Sequence, residues 1–208
     1  MTAFACIFVP DFPVEALLRA EPDLRAHALA VLEGKAPLQT VFALNEKARR
    51  AGVSAGMTKL QVEACSDLVL RPRSLLQEAA AHAALLDCAQ SFSPRVEDVS
   101  CDTVLLDLVG MEPLFGPLPK IARDVARRAS ALGLESNVAV ASNPDTAVLA
   151  ALGFSGVIVI PEGKEAEQLG IFPWKSCLPV VATFKPWKYS DAGAFEIFAL
   201  WRCCPKSP

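Results

Sequence analysis

The sequence predicts an α+β fold: an antiparallel-rich sheet with helices on one face and a small lobe inserted after the early strands. Three observations predict it. Short apolar runs of strand length alternate with helical segments in the order β-α-β, lobe, α-β-β-α-β. Residues 41–73 carry Lys47, Arg49, Arg50, Lys59, Arg71 and Arg73 against few acids, in a chain of formal net charge −3. Residues 103–109 (TVLLDLV) are almost continuous in β-type hydrophobicity, the pattern of a strand buried on both faces.

Each element has its own signal. Residues 3–9 (AFACIFV) read as a buried strand that Pro10 and Asp11 stop, and Pro13 opens a helix over residues 14–20. Residues 28–32 (ALAVL) and 41–44 are strands, with a turn at Glu33-Gly34-Lys35. Asn45 caps a helix that Gly52 ends, and Thr58 with Gln61 forms a capping box for a second short helix reaching Cys65. After a brief strand at residues 68–70, residues 74–91 make a long alanine-rich helix whose stripe is Leu75, Leu76, Ala79, Ala83 and Leu86. Residues 96–101 and 103–109 form a hairpin about Asp102. Residues 111–119 are rich in turn formers. Residues 120–132 are an amphipathic helix with Ile121, Val125 and Leu132 inward and Arg123, Arg127 and Arg128 outward. Residues 137–141 are a strand, Asn143 caps a helix over residues 145–152, residues 157–160 are the last clear strand, and residues 164–169 a short helix.

Composition bounds the function. With 208 residues, 52% of them hydrophobic and 21% charged, the chain can bury a substantial core. A pI near 5.5 is not that of a strongly basic nucleic-acid binder, although a local basic face remains open. No apolar run approaches the ~18 residues of a membrane span. The start MTAFACIFVPDFP lacks the basic residues and cleavage site of a signal peptide. The seven cysteines are odd in number and have no CxxC spacing, as expected of small buried hydrophobes in a reducing compartment. The expected location is the cytoplasm.

Asp102 is the first site candidate, because a carboxylate at the end of a buried strand needs a hydrogen bond, a counter-charge or a metal. Asp is equally at home in a tight turn, and the stretch alone leaves both readings open. The basic lobe likewise reads either as a phosphate-binding face or as a solvated one. His27 and His82 have no supporting ligand cluster and read as structural or solvated. Ser100 and Cys101 lack a nearby base for nucleophilic catalysis.

Several ordered stretches resemble the Y-family of DNA polymerases, the translesion group of UmuC/DinB type. That family's S-Y-E-A-R-x-x-G-V-x-x-G-M corresponds to residues 45–57 (NEKARRAGVSAGM), and its C-P-D-L-V-x-x-P to residues 65–72 (CSDLVLRP). Its F-T-P-x-V-E and S-I-D-E-x-Y-L-D-L-T-G correspond to residues 92–97 (FSPRVE) and 100–110 (SCDTVLLDLVG). Order and spacing hold from about residue 3 to residue 173. The resemblance implies a ferredoxin-like polymerase palm (residues 1–40 and 74–173), an inserted fingers lobe (residues 41–73), and thumb and little-finger parts truncated or absent. It implies DNA- or nucleotide-binding roles for Arg49, Arg50, Lys59, Arg71 and Arg73.

The departures concern catalysis. Family polymerases hold two magnesium ions with a first-strand Asp and an Asp-Glu pair in the hairpin, a set that two-metal phosphoryl transfer needs. Here Asp102 remains, Thr103 stands at the Glu position, and Pro10 at the first-strand Asp. Asp11 follows one residue later and, if the strand runs on, faces the other side of the sheet. Glu46 stands at the nucleotide-contacting Tyr, and the N-K-x-x-A-K stretch reads NPDTAV at residues 143–148, with both lysines gone. Residues 9–14 (VPDFPV) look like the P-D-W-P-V signature of the ImuB-type branch, polymerase-like proteins without the full acid set.

The expectation is therefore a non-catalytic Y-family homologue acting as an adaptor in the SOS response and translesion mutagenesis. It has no catalytic residues beyond the vestigial Asp11 and Asp102, and binds no metal. The implied partners are damaged or primer-template DNA, a replicative-type polymerase, a RecA-like protein and the sliding clamp. In that branch the protein contacts lie mostly in a C-terminal part this chain lacks. The alternatives are an active error-prone polymerase, which would require magnesium, and a truncated product without function. From about Trp174 the composition shifts sharply: all three tryptophans, the tyrosine and three cysteines fall there. A neighbouring-frame reading of residues 193–206 resembles the family thumb, so the tail reads as frame-shifted or as a lineage-specific ending.

Overall fold

The structure, a computed structural model, describes residues 2–65 and 67–170. The expectations about the tail from Trp174 lie outside them. The element order is β1 (Phe4–Phe8), α1 (Phe12–Ala20), a 3₁₀ turn (Pro22–Ala26), β2 (Ala28–Glu33), β3 (Thr40–Leu44), α2 (Glu46–Arg50), α3 (Lys59–Val62), β4 (Leu68–Pro72) and α4 (Leu75–Gln90). It continues with β5 (Val96–Ser100), β6 (Thr103–Asp107), α5 (Glu112–Phe115), α6 (Leu118–Ala131), β7 (Asn137–Ala141), α7 (Pro144–Gly153), β8 (Val157–Val159) and α8 (Glu165–Leu169).

Two sheets result. The larger has the order β5-β6-β1-β7-β8, and without β8 it is the ferredoxin-like arrangement with β1 at its centre. β1 pairs antiparallel with β6, Phe8 opposite Thr103, and with β7, Phe8 opposite Asn137. β1 alternates between two cores. Ala5, Ile7 and Val9 join α4 and α6 on one face, while Cys6 packs on the other with Leu105, Ala139 and α7 residues Ala147, Val148 and Ala151. Helices thus cover both faces, not one as expected. The cause is visible in β1 and β6, which carry apolar side chains on both faces and would otherwise expose half of them.

The small sheet has the order β3-β2-β4, antiparallel between β2 and β3 and parallel between β2 and β4. It takes in β2, so the lobe's sheet begins at Ala28, ahead of the expected boundary at residue 41. The lobe is not a loose appendage. Val14, Leu17 and Leu18 of α1 are buried against Leu29 and Val31 of β2 and Ala43 of β3.

Capping signals set the helix starts. Asn45 accepts from the Ala48 amide, Ser74 from Gln77 and Asn143 from Asp145, and the Thr58–Gln61 capping box is complete. Gly133 ends α6 at a φ of 82°, in the left-handed region where glycine carries no Cβ penalty. The run of turn formers after β6 includes one short helix, α5, with Pro113 in its first turn.

The stripe of α4 differs from expectation. Its buried face is Ala81, Ala84, Leu85, Cys88 and Ala89, while Leu75 and Leu76 are 69% and 84% exposed. Alanines are apolar on every face of this helix, so its pattern alone leaves the orientation undecided, and packing chooses the set spaced i, i+3, i+4, i+7, i+8. Two substitutions on one helix check this. Leu85→Ala should lower the unfolding free energy by about 2–5 kcal/mol. Leu76→Ala should change it by less than about 0.5 kcal/mol, read from urea midpoints. Equal losses would contradict the assignment.

Candidate functional site at the palm hairpin and the fingers lobe

The site lies where β1 ends. The backbone amide of Val9 donates to the carbonyl of Asp102 at 2.9 Å, which fixes the β5–β6 turn beside the chain entering α1. In that turn the Asp102 carboxylate accepts from the hydroxyls of Ser100 (2.6 Å) and Thr103 (2.8 Å), both on the same oxygen, Oδ1. Asp102 is thus a turn residue satisfied by local hydroxyls. Thr103 is 2% exposed, and its side chain lies on the sheet face that carries Cys6. Burial, with the charge of Asp102 added to it, pushes the Cys6 thiol far up, so Cys6 is a small protonated core residue.

His82 of α4 holds the same turn from outside. Its Nδ1 lies 2.9 Å from the carbonyl of Cys101 and its Nε2 lies 3.0 Å from Asp98 Oδ2. Both partners are acceptors. The structural reading of His82 fits this geometry.

Asp11 is not on the far side of an extended strand. β1 stops at Phe8, and Asp11 adopts φ 50°, ψ 41°, a left-handed conformation that Asp and Asn tolerate better than most residues. Standing at the N-cap of α1, it makes no side-chain cap. Both its oxygens instead take Arg49 Nη2, at 2.5 and 2.6 Å. Arg49 is placed by Asn45, whose Oδ1 accepts from the amides of Leu29 and Ala48 and whose amide nitrogen donates to the carbonyl of His27, locking α2 onto β2. Glu46 stands 3.7 Å from Arg49 and 3.0 Å from Arg50. The bond to Asp11 raises the Arg49 pKa above its ordinary value.

Lys47 donates to the carbonyls of Arg25 and Ala26, and the remaining lobe cations meet carboxylates. Lys59 pairs with Glu63 at 3.7 Å and Arg71 with Glu21 at 3.3 Å. Arg73 reaches Glu33 at 2.6 Å and Glu78 at 2.7 and 2.8 Å, and its guanidinium lies 4.0 Å from the Phe42 ring centroid, a cation–π distance. Arg73 therefore ties the lobe to α4. At the position of the family's second lysine, Val148 is 2% exposed and sits in the core between α7 and the sheet.

A pair of magnesium ions does not fit this donor set. One carboxylate is engaged by hydroxyls, the next by a guanidinium, and a threonine stands where the third would be. Among the described residues no group of three His, Cys, Asp or Glu side chains is gathered as a metal site needs.

The profile of the impB/mucB/samB family matches residues 7–151. The chain is 30% identical over 164 residues to DNA polymerase IV 2 of Mesorhizobium japonicum, covering 77% of this chain and 38% of that protein. It is 29% identical over 135 residues to DNA polymerase IV of Ralstonia nicotianae, covering 64% of this chain and 38% of that one. It thus spans under two fifths of the length of these curated relatives. Among solved structures, the insertion ternary complex of Dbh DNA polymerase superposes with a TM-score of 0.70 at 17% identity, over 86% of this chain and 57% of that one. DinB from Sulfolobus solfataricus does so with 0.64 at 18%, over 85% and 60%. Both likenesses are of fold, that of Y-family palm and fingers.

The two kinds of arginine pair should differ in cost. Arg73→Ala leaves Glu78, whose side chain is 9% exposed, without its partner and should cost about 3–5 kcal/mol. Arg50→Ala removes an exposed pair and should stay within about 0.5 kcal/mol. Urea denaturation reads both, and a tolerated Arg73→Ala would contradict the clasp.

Proposed function

The chain belongs to the impB/mucB/samB family, the Y-family of DNA polymerase-like proteins, and from that premise we propose that it works without polymerase chemistry, as a DNA- and protein-binding adaptor in damage tolerance. The observation that carries the reading is the hairpin end of the palm. Asp102 has hydroxyls for neighbours, Thr103 replaces the second hairpin acid, and Asp11 is bound to Arg49. Phosphoryl transfer has nothing there to hold two cations 3.5–4 Å apart, the spacing of about that size such sites require.

The stretch VPDFPV at residues 9–14, together with the missing acids, supports the ImuB-type branch. DNA is the proposed ligand because the relatives are DNA polymerases and one structural neighbour is a polymerase ternary complex. The phosphate contacts are assigned to the lobe. Arg50 and Lys59 are the first candidates, since both are partly or largely exposed and their pairs are formed within one short helix, where exchange for a phosphate costs little. Arg49, Arg71 and Arg73 would have to release carboxylates of other elements. A replicative-type polymerase, a RecA-like protein and the sliding clamp are the proposed protein partners.

Two assays on one preparation test this. Primer extension with magnesium on undamaged template should show no incorporation, and incorporation lost on Asp102→Ala would overturn the proposal. DNA affinity, read by fluorescence anisotropy, should fall as salt rises. The double variant Arg50→Glu/Lys59→Glu should weaken binding and lower the salt slope by about 2.

A further inference from the structure

We infer that the outer face of α4 and α6 is a docking surface for a partner helix that is apolar on one side and acidic along its flanks. The inference deepens the adaptor reading, and rests on it for there being a protein partner at all.

α4 is apolar on two faces, and the fold buries one of them. Ala81, Leu85, Cys88 and Ala89 pack on the large sheet. The other face is exposed: Leu76, Ala80 and Ala83 follow at i, i+4 and i+7, with Ala79 between them and Leu75 beside them. No exposed charge interrupts this stripe. Glu78 is buried and held by Arg73, and His82 is turned to the hairpin. A helix side that meets only water carries polar residues, whereas leucines followed by alanines leave room for a second helix to lie close.

α6 lies beside α4 on the same sheet face, with Cys88 Sγ 3.9 Å from the Val125 carbonyl, so both helices turn their outer sides the same way. That of α6 is cationic. Arg123, Arg127 and Arg128 are exposed, and the one acid of the helix, Asp124, is shared between Lys120 and Arg127 at 3.0 and 2.9 Å. Among the described residues no carboxylate meets Arg123 or Arg128. Burial pushes the Cys88 thiol up and the charge of Arg128 opposes it, which places Arg128 on the side of α6 that faces α4. The lobe cations differ, being taken by carboxylates and carbonyls.

The two stripes together select the occupant. Nucleic acid matches the arginines and leaves the leucines without a partner. A second copy of this chain, meeting through the same patch, would bring cations to cations. An amphipathic helix matches both, its apolar side laid on α4 and its Asp or Glu residues against Arg123 and Arg128.

The test uses a fluorescein-labelled synthetic helix with leucine at i, i+3, i+4 and i+7 and glutamate on both flanks, titrated with the full chain and read by anisotropy. The same peptide with lysine in place of glutamate is the control. The glutamate peptide should bind saturably and the lysine peptide should not. Leu76→Gln/Ala80→Gln and Arg123→Glu/Arg128→Glu should each weaken binding at least roughly tenfold, and the second should also remove most of its salt dependence. All four positions are exposed, so the urea midpoints should match wild type, and the neutral pair Arg123→Gln/Arg128→Gln should weaken binding in the same direction. No binding of the glutamate peptide, equal binding of both peptides, or unchanged affinity in both double variants would overturn the inference. So would dimerisation of the chain that Leu76→Gln abolishes, or loss of duplex DNA affinity in Arg123→Glu/Arg128→Glu with no peptide bound by wild type. The adaptor reading itself stands or falls on primer extension, which none of these measurements involves.

Discussion

The larger sheet and the helices packed on it are arranged around β1, a strand hydrogen-bonded on both edges and buried on both faces. Five residues with apolar side chains on both sides can be accommodated only between two strands and between two helical layers. β6 and β7 supply the strands. α4 and α6 form one layer, and α7 the other. Once β1 is placed, the end of its path is placed as well, and Val9, Pro10 and Asp11 emerge beside the β5–β6 turn, held there by the bond from Val9 to Asp102. The catalytic architecture of the family and the site seen here share this scaffold. They differ in what the scaffold presents.

What it presents is a set of internally neutralised charges. Asp102 is hydrogen-bonded to Ser100 and Thr103, Asp11 is paired with Arg49, and Arg71 and Arg73 reach carboxylates of α1's C-terminal end and of α4. These contacts join lobe to palm at three places, beside an apolar interface between α1 and the small sheet. Exposed pairs of this kind contribute little stability. The Arg73–Glu78 pair is different, because Glu78 is buried and depends on its partner. The side chains that meet at the end of β1 and along the lobe are accordingly arginines and carboxylates, on a fold similar to that of Y-family palm and fingers.

The sequence carried much of this in local signals. The capping residues Asn45, Thr58 and Asn143 marked helix starts that the structure reproduces, because a cap is a contact over two or three residues. The almost continuous apolar run after Asp102 announced a doubly buried strand. The ordered motifs identified the family. Contacts between residues far apart in the chain left no local trace. Asp11 lies 38 residues from Arg49, Glu21 50 from Arg71 and Glu33 40 from Arg73. The membership of β2 in the small sheet depends on its pairing with β4, which periodicity does not reveal. The left-handed turn at Asp11 was hidden for a different reason: Asp is common in extended, turn and cap positions alike, and its conformation here is set by where α1 must dock. The orientation of α4 was hidden by its alanines, which are apolar on every side.

The central proposal is that the hairpin keeps the palm fold without the family's cation site. Titration of the protein with manganese(II), followed by the loss of free-ion electron paramagnetic resonance signal, addresses that claim most directly. The expected result is no saturable uptake at the hairpin, with Asp102→Ala indistinguishable from wild type. Stoichiometric uptake of one or two ions that disappears in Asp102→Ala would contradict it.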